Sequence, residues 1–257
     1  MELQGAIAVV TGTSAGLGRQ FAVDLARAGA VVTGVARRPA LLADLAVELT
    51  RSSPGSTTEV CDVSDTDRFT ALLHRIEERH GRIDLLVNNA GIGEPVEGPD
   101  ELARHRLVMA TNYFAPVAGT FAVLPGMISR RHGVVVNVSS DSGRAPGPGD
   151  VAYAPSKAAL TAFTESLSYE TEGSGVSLHV LYPGWVPTAM GTGAVERGMA
   201  TPPRAVRRSP EQVSRLLLAR LGGPRVDIDA TRVARIAPVA RALVPGLYRK
   251  GMRRSGG

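Results

Sequence analysis

Apolar residues in this chain follow two alternating patterns. Short, nearly continuous runs rich in valine and isoleucine read as strands buried on both faces; longer stretches with spaced apolar positions read as helices. Strands are expected at Gly5 to Thr11, Val31 to Val35, Thr58 to Cys61, Ile83 to Val87, Val134 to Val138 and Ser177 to Leu181, with a final one at Arg225 to Ile228. Helices are expected over Arg19 to Ala28, Ala40 to Arg51, Asp65 to His80, and about Pro99 to Arg130 with a bend near Pro116. Another starts at Tyr153. Ser209-Pro210-Glu211-Gln212 opens one more, with a capping serine, proline at the first position and glutamine three residues after the serine. Repeats and linkers are lacking, so residues 1–257 are expected to form one domain.

Two regions break the alternation. From Ala189 to Arg208 the chain is rich in Gly, Met, Pro and Arg without a clear period, and reads as a mobile substrate lid. From about residue 230 to 257, Val233, Ile236, Val239, Ala240, Leu243, Val244, Leu247 and Tyr248 interleave with basic residues, while Pro238 and Pro245 are expected to break the stretch into short pieces. Such a basic amphipathic extension could pack on a partner subunit, support the lid or touch an anionic membrane peripherally.

With 257 residues, 44% hydrophobic and only 4% aromatic, the chain can build an α/β core of Ala, Val and Leu. One cysteine, Cys61, excludes an internal disulfide framework. No apolar run of membrane-spanning length and no basic-then-apolar N-terminus are recognised, so a cytoplasmic location is expected. The net charge of +5 comes from arginines spread along the chain without interleaved aromatics, a solvated surface rather than a nucleic-acid interface. The five histidines lack metal-ligand spacing.

The chemistry lies at the ends of the expected strands. The first runs into Thr11-Gly12-Thr13-Ser14-Ala15-Gly16-Leu17-Gly18 and then a helix, an arrangement that turns backbone N–H groups toward a diphosphate. The second ends in Ala36-Arg37-Arg38. An acidic residue there would grip ribose hydroxyls, whereas Arg37 suits a 2′-phosphate, so NADP(H) is favoured over NAD(H) unless the arginines are only a solvated loop. Asp62, before Val63, could accept from an adenine amino group, or it or Ser64 could cap the next helix. Asn88-Asn89-Ala90-Gly91 suits a loop against a cofactor. Asn112 is either an exposed polar position or holds a catalytic water through its carbonyl. Tyr153 and Lys157 lie one helical turn apart, beyond a strand that ends at Ser139-Ser140. A phenol titrating near ~10 needs such a cation to act near neutral pH.

These motifs, with Pro183-Gly184-Trp185-Val186-Pro187-Thr188, resemble those of the short-chain dehydrogenase/reductase family from about Gly5 to Leu221. The resemblance implies a three-layer Rossmann fold, with a doubly wound parallel sheet of about seven strands and helices on both faces. It implies Tyr153 as acid or base, Lys157 lowering its pKa and holding ribose hydroxyls, Ser140 on the substrate oxygen, and Asn112 positioning a water. Gly12, Ser14, Ala15, Gly16, Leu17, Gly18, Asp62, Val63, Asn89, Ala90 and Gly91 would line the cofactor, with Pro183, Gly184, the Val186 backbone and Thr188 at its nicotinamide end. Ile92, Gly93, Ser142 to Asp150, Trp185, Met190 and Met199 would edge a pocket for a hydrophobic ketone, aldehyde or acyl thioester. A homo-oligomer, dimer or tetramer, is also implied, with the C-terminal extension departing from the glycine-rich strand end of many ketoacyl reductases. An NADP-sensing regulatory protein and an epimerase or dehydratase are the competing functions.

Overall fold

The computed structural model describes residues 1–93, 100–149, 151–196 and 202–255. Its strands are β1 (Ile7–Thr11), β2 (Val31–Ala36), β3 (Thr57–Val60), β4 (Leu85–Asn88), β5 (Gly133–Val138), β6 (Val176–Tyr182) and β7 (Asp227–Asp229). They form one parallel sheet in the order β3-β2-β1-β4-β5-β6-β7. The helices are α1 (Gly16–Arg27), α2 (Pro39–Ser52), α3 (Thr66–His80), α4 (Glu101–Met109), α5 (Ala115–Ser129), α6 (Asp141–Arg144), α7 (Tyr153–Glu170), α8 (Ala189–Glu196), α9 (Pro210–Leu218), α10 (Arg232–Leu243) and α11 (Pro245–Ser255).

Side chains alternate along β1: Ala8 and Val10 join a core with α1, α2 and α9, while Ile7 and Val9 join a second core with α3 and α5. Burial on both faces explains why the strands read as unbroken apolar runs. After β1 the chain builds outward to β3, then crosses back to β4 and builds the other way. The crevice at the carboxyl ends of β1 and β4 is therefore the place for a ligand.

Several expectations need correction. The N-cap of α3 is Asp65, whose carboxylate accepts from Arg68 N at 3.1 Å, rather than Asp62 or Ser64. The segment from Ala189 is helical as α8, and its far end is anchored where Trp185 N donates to the Val206 carbonyl and Arg208 N donates to the Trp185 carbonyl. Pro238 lies inside α10, which runs on through it with one backbone donor fewer; Pro245 opens α11 at the first position, where that donor has no helical partner anyway. The capping box at Ser209 and Gln212 is formed as expected. The helical rod from Glu101 to Ser129 is long and apolar enough to span a membrane, contrary to the sequence reading, but half of its most apolar window is buried, and α5 packs on α3 and β5 as a core helix.

That rod does not simply bend at Pro116. Residues Ala110–Phe114 are wound as a π-helix between α4 and α5. In α winding the carbonyl of Asn112 would be paired with the N–H of residue 116, and proline has none. The proline thus disturbs the turn before it.

Candidate active site

The glycine loop is shaped by close approach. Gly12 has φ +75°, and a Cβ there would lie 2.8 Å from Asn89 Nδ2 and 2.9 Å from Ala90 Cα. A Cβ on Gly18 would overlap Asn89 Nδ2 and the Gly12 carbonyl. Thr11 binds the two loops together: its Oγ1 accepts from Asn89 N at 3.0 Å and Ala90 N at 2.9 Å, while Asn89 Nδ2 donates to the Thr11 carbonyl at 2.9 Å. Helix α1 starts at Gly16 rather than Arg19, and its N-cap Ala15 brings no side-chain acceptor. The first-turn N–H groups therefore face the crevice without a side-chain partner, as an anion site requires. Thr188 closes the loop from above, with Cγ2 only 2.9 Å from where a Gly16 Cβ would be.

At the adenosine end, Arg37 Nη1 lies 3.5 Å from Asp62. Asp62 also accepts from Ser64 N at 3.0 Å and Ser64 Oγ at 2.8 Å. Burial works against its charge, but the Ser64 hydrogen bonds and the Arg37 guanidinium together hold its carboxyl below the usual range. Arg38, not singled out in the sequence, forks onto the glycine loop: Nη2 and Nε donate to Ser14 Oγ at 2.6 and 3.2 Å. The Arg37-Arg38 doublet was the available signal, because consecutive side chains leave a strand end in different directions. A cavity of about 450 Å³ beyond the edge strand β3 is lined by Arg37, Cys61, Asp62, Arg68 and Arg75. It holds none of Asn112, Ser140, Tyr153 or Lys157. Cys61 thus borders a cavity as well as the core, and burial, with Asp62 and Asp65 adding to it, pushes its thiol up. Val63 is buried beside Asp62.

Around the chemistry, Lys157 on α7 is almost fully buried; its ammonium donates to the Val138 carbonyl at 2.8 Å and lies 5.8 Å from the Tyr153 ring centroid. Burial pushes it down to about 8. Gly91 fits between two of the site's polar groups: a Cβ there would lie 3.2 Å from Asn112 Oδ1 and 3.5 Å from Lys157 Nζ. Asn112 is fully buried, which removes the exposed alternative. Its Oδ1 accepts from Ile92 N at 2.9 Å, and its Nδ2 donates to the Ile92 carbonyl at 2.9 Å and to Ser156 Oγ at 3.0 Å. The side chain therefore pins the cofactor loop to α7. Ser140 Oγ lies 2.9 Å from Ser142 Oγ and accepts from Ser142 N at 3.3 Å, so it caps α6 while Ser142 orients it. Gly143 lets α6 lie directly on the backbone of Lys157 and Ala158.

The far wall comes from the segment after β6. Pro183 is buried, and Gly184, at φ +72°, passes close to Thr231 and the Val206 carbonyl. Val186 is buried, and its carbonyl accepts from Thr188 N at 2.7 Å. Met190 approaches Gly93 across the site, 3.7 Å from where its Cβ would be. The Trp185 indole packs on Gly191 instead, its Nε1 buried without a partner among the described residues. Met199 and Asp150 lie outside the described residues.

Behind α6, Arg144 stacks 3.3 Å over the Tyr182 ring and pairs with Asp227 at 2.6 Å and Asp229 at 2.7 Å. Burial, helped by the Asp229 charge, pushes Asp141 up to about 6, with Arg144 and Thr231 pulling the other way. On the far side Met252 of α11 lies 2.9 Å from where a Gly147 Cβ would be, so the C-terminal helices back the loop after α6.

A seven-stranded doubly wound sheet, a glycine loop over the β1/β4 crevice and a Ser-Tyr-Lys group beside it describe a nucleotide-binding oxidoreductase fold. The family model for short chain dehydrogenases matches residues 6–197, and the chain belongs to the short-chain dehydrogenase/reductase family. Among its relatives is dehydrogenase/reductase SDR family member 7B of Bos taurus, 36% identical over 261 residues, covering 96% of this chain and 80% of the relative. A family protein 7-like from Anopheles gambiae is 32% identical, covering 96% and 81%. Among solved structures, a short-chain dehydrogenase from Streptomyces avermitilis superposes with a TM-score of 0.79 at 26% identity, covering 98% of this chain and 97% of that one. The same fold is seen in a Burkholderia phymatum family member in complex with NAD, with a TM-score of 0.83, 24% identity and 97% coverage of both chains.

Proposed function

We propose that this oxidoreductase uses NADP(H) to reduce a lipophilic ketone, aldehyde or acyl thioester, or to run the reverse oxidation, with Tyr153 as acid and base. The reading is carried by the buried ammonium of Lys157, 5.8 Å from the Tyr153 ring, beside Gly91 and donating to the Val138 carbonyl two residues before Ser140, together with the glycine loop that Thr188 covers. The residues fit the cofactor: Gly12 and Gly18 let the loop pack tightly on Asn89 and Ala90 at the crevice, and uncapped N–H groups open α1 beside it. NADPH supplies the hydride when bound. Ser140 donates to the carbonyl oxygen and steadies its developing charge. Tyr153 delivers the proton to that oxygen, and the nearby Lys157 ammonium favours the negative charge left on the phenol. The main-chain carbonyl of Asn112, deprived of its α-helical partner by Pro116, would hold the water that resupplies the proton.

Preference for the phosphorylated cofactor rests on Arg37 and Arg38, with Arg38 already forked onto Ser14 beside the first glycine. Among the described residues expected at the pocket edge, Met190, Ile92, Ala145, Pro146 and Gly147 are apolar or small and favour a lipophilic substrate. The test is NADPH and NADH oxidation over a panel of ketones, aldehydes and acyl thioesters, with NADP+ and NAD+ reduction by the matching alcohols and by polyols, repeated with Arg37→Ala/Arg38→Ala. KM for NADPH should rise at least about tenfold while that for NADH stays put. Equal rates with NADH, or faster turnover of polyols, would overturn the cofactor and substrate readings respectively.

A further inference from the structure

The C-terminal helices present a face left uncovered by the rest of the described chain. On α10, Val233, Ile236, Val239 and Leu243 recur at helical spacing on one stripe, and Val244 and Leu247 continue it into α11. Ile236 is 62% exposed, Leu243 77% and Leu247 71%. The opposite sides of both helices are the ones that pack. Ala234 is buried, Arg241 donates to the Arg144 carbonyl at 3.0 Å, and Met252 meets Gly147. The aliphatic stripe therefore points outward on helices that are already docked. Single exposed leucines are ordinary on a protein surface, but a run of six aliphatics within two helical segments is a patch with a purpose.

The charges around it choose the occupant. From Arg232 to Gly257 the sequence carries no Asp or Glu; of its seven cations Arg241 and Arg235 are engaged by the fold, at the Arg144 carbonyl and Asp229, which leaves Arg232, Arg249 and Lys250, with Arg253 and Arg254 following in sequence, for the face. A second copy docked face to face would bring two cationic rims together, and the nearest acid, Asp229, is already held by Arg144 and Arg235 of its own chain. An anionic lipid surface satisfies both features at once, taking the aliphatics into the acyl boundary and the cations among the headgroups.

We propose that α10 and α11 form a docking face for an anionic lipid membrane, on which the protein lies peripherally. Because Met252 backs Gly147, the docked face is the reverse side of the wall beside Ser140. A lipid-dissolved substrate would then have a short path from the membrane to the site. The docking itself rests on the tail alone and stands whether or not the substrate is lipophilic.

The test mixes the full chain with sucrose-loaded phosphatidylcholine vesicles, with and without phosphatidylserine, and measures sedimented protein. Binding should require phosphatidylserine, weaken with added salt, and fall by about tenfold or more in Ile236→Glu/Leu243→Glu/Leu247→Glu and in Arg249→Glu/Lys250→Glu. Both variants change exposed positions, and an unchanged unfolding midpoint confirms that they fold. Failure of the wild type to sediment with anionic vesicles overturns the proposal. So does a wild-type self-association, seen by sedimentation equilibrium, that disappears in the first variant, because the face then belongs to a second copy.

Discussion

Replacing Lys157 by methionine separates the cost of burying a charge from everything else that the residue does. The ammonium is 4% exposed, donates to the Val138 carbonyl, and is pushed by burial from its ordinary 10.5 down to about 8. Between those two values the unfolded chain binds more protons than the folded one, so the wild-type protein gains stability as pH rises through that window. The window spans roughly 2.5 pH units at ~1.4 kcal/mol each, so the full gain is about 3 kcal/mol. Lys157→Met has no such proton. Its lost hydrogen bond to Val138 shifts its stability by a fixed amount and leaves the slope alone, and making both measurements in a Tyr153→Phe background removes the phenol whose titration Lys157 influences. Urea unfolding followed by circular dichroism, from about pH 7 to pH 10.5, gives the two stabilities at each pH. The lysine form minus the methionine form should climb by about 3 kcal/mol with unchanged m. A difference that stays flat across the range would refute the buried, charge-costly lysine.

Other substitutions probe the rest of the site. Asp141→Asn carries the opposite sign: with the folded carboxyl raised from 3.8 to about 6, the wild type loses stability as pH rises between those values. The asparagine variant should be about 2–3 kcal/mol the more stable at pH 7 and converge with wild type near pH 4 in thermal unfolding, and a pH-independent gap would count against the assignment. Arg144→Met takes the partner from Asp227 and leaves Asp229 with Arg235 alone at 3.7 Å, with an expected loss of about 3 kcal/mol, or about 6–12 °C in unfolding midpoint. Ser140→Ala should lower turnover by about 10²–10³-fold while nucleotide affinity, measured by calorimetry, is retained. Gly12→Ala must place a methyl against Asn89 and Ala90 at φ +75°, and should cost about 1–3 kcal/mol along with nucleotide binding.

What could be read from the sequence was whatever local pattern encodes. The β-branched runs, the glycine loop and the Ser209 capping box all act within a few residues, and the structure places them close to the expected boundaries. The Tyr153 and Lys157 pair follows from helical periodicity alone. Tertiary choices were harder to read. The sequence offers Asp62 or Ser64 as the cap, with Asp65 the first helical residue; in the fold Asp62 is engaged by Arg37 and Ser64, and Asp65 accepts from Arg68 N. Arg38 lies 24 positions from Ser14, so its grip on the glycine loop leaves no trace in the spacing. Pro238 read as a breaker because propensity counts a lost hydrogen bond, whereas α10 is also held by the Thr231 cap and the packing of Ala234. The helix α8 was concealed by its glycines, which weaken a periodic signal without forbidding the winding.

The π-wound segment Ala110–Phe114 gives one length of chain a meaning of its own. A π turn holds about one residue more than an α turn, so α4 and α5 form a single rod whose two halves are out of phase. Removing one residue other than Asn112 between Met109 and Ala115 would turn the wide turn into an ordinary one in the same space, so α4 and α5 would keep their places on the core. Asn112, carried on the turn itself, would be re-aimed away from Ile92 and Ser156 even if its own codon were untouched. At this point in the chain the extra residue serves the site rather than the packing, because it sets where Asn112 points.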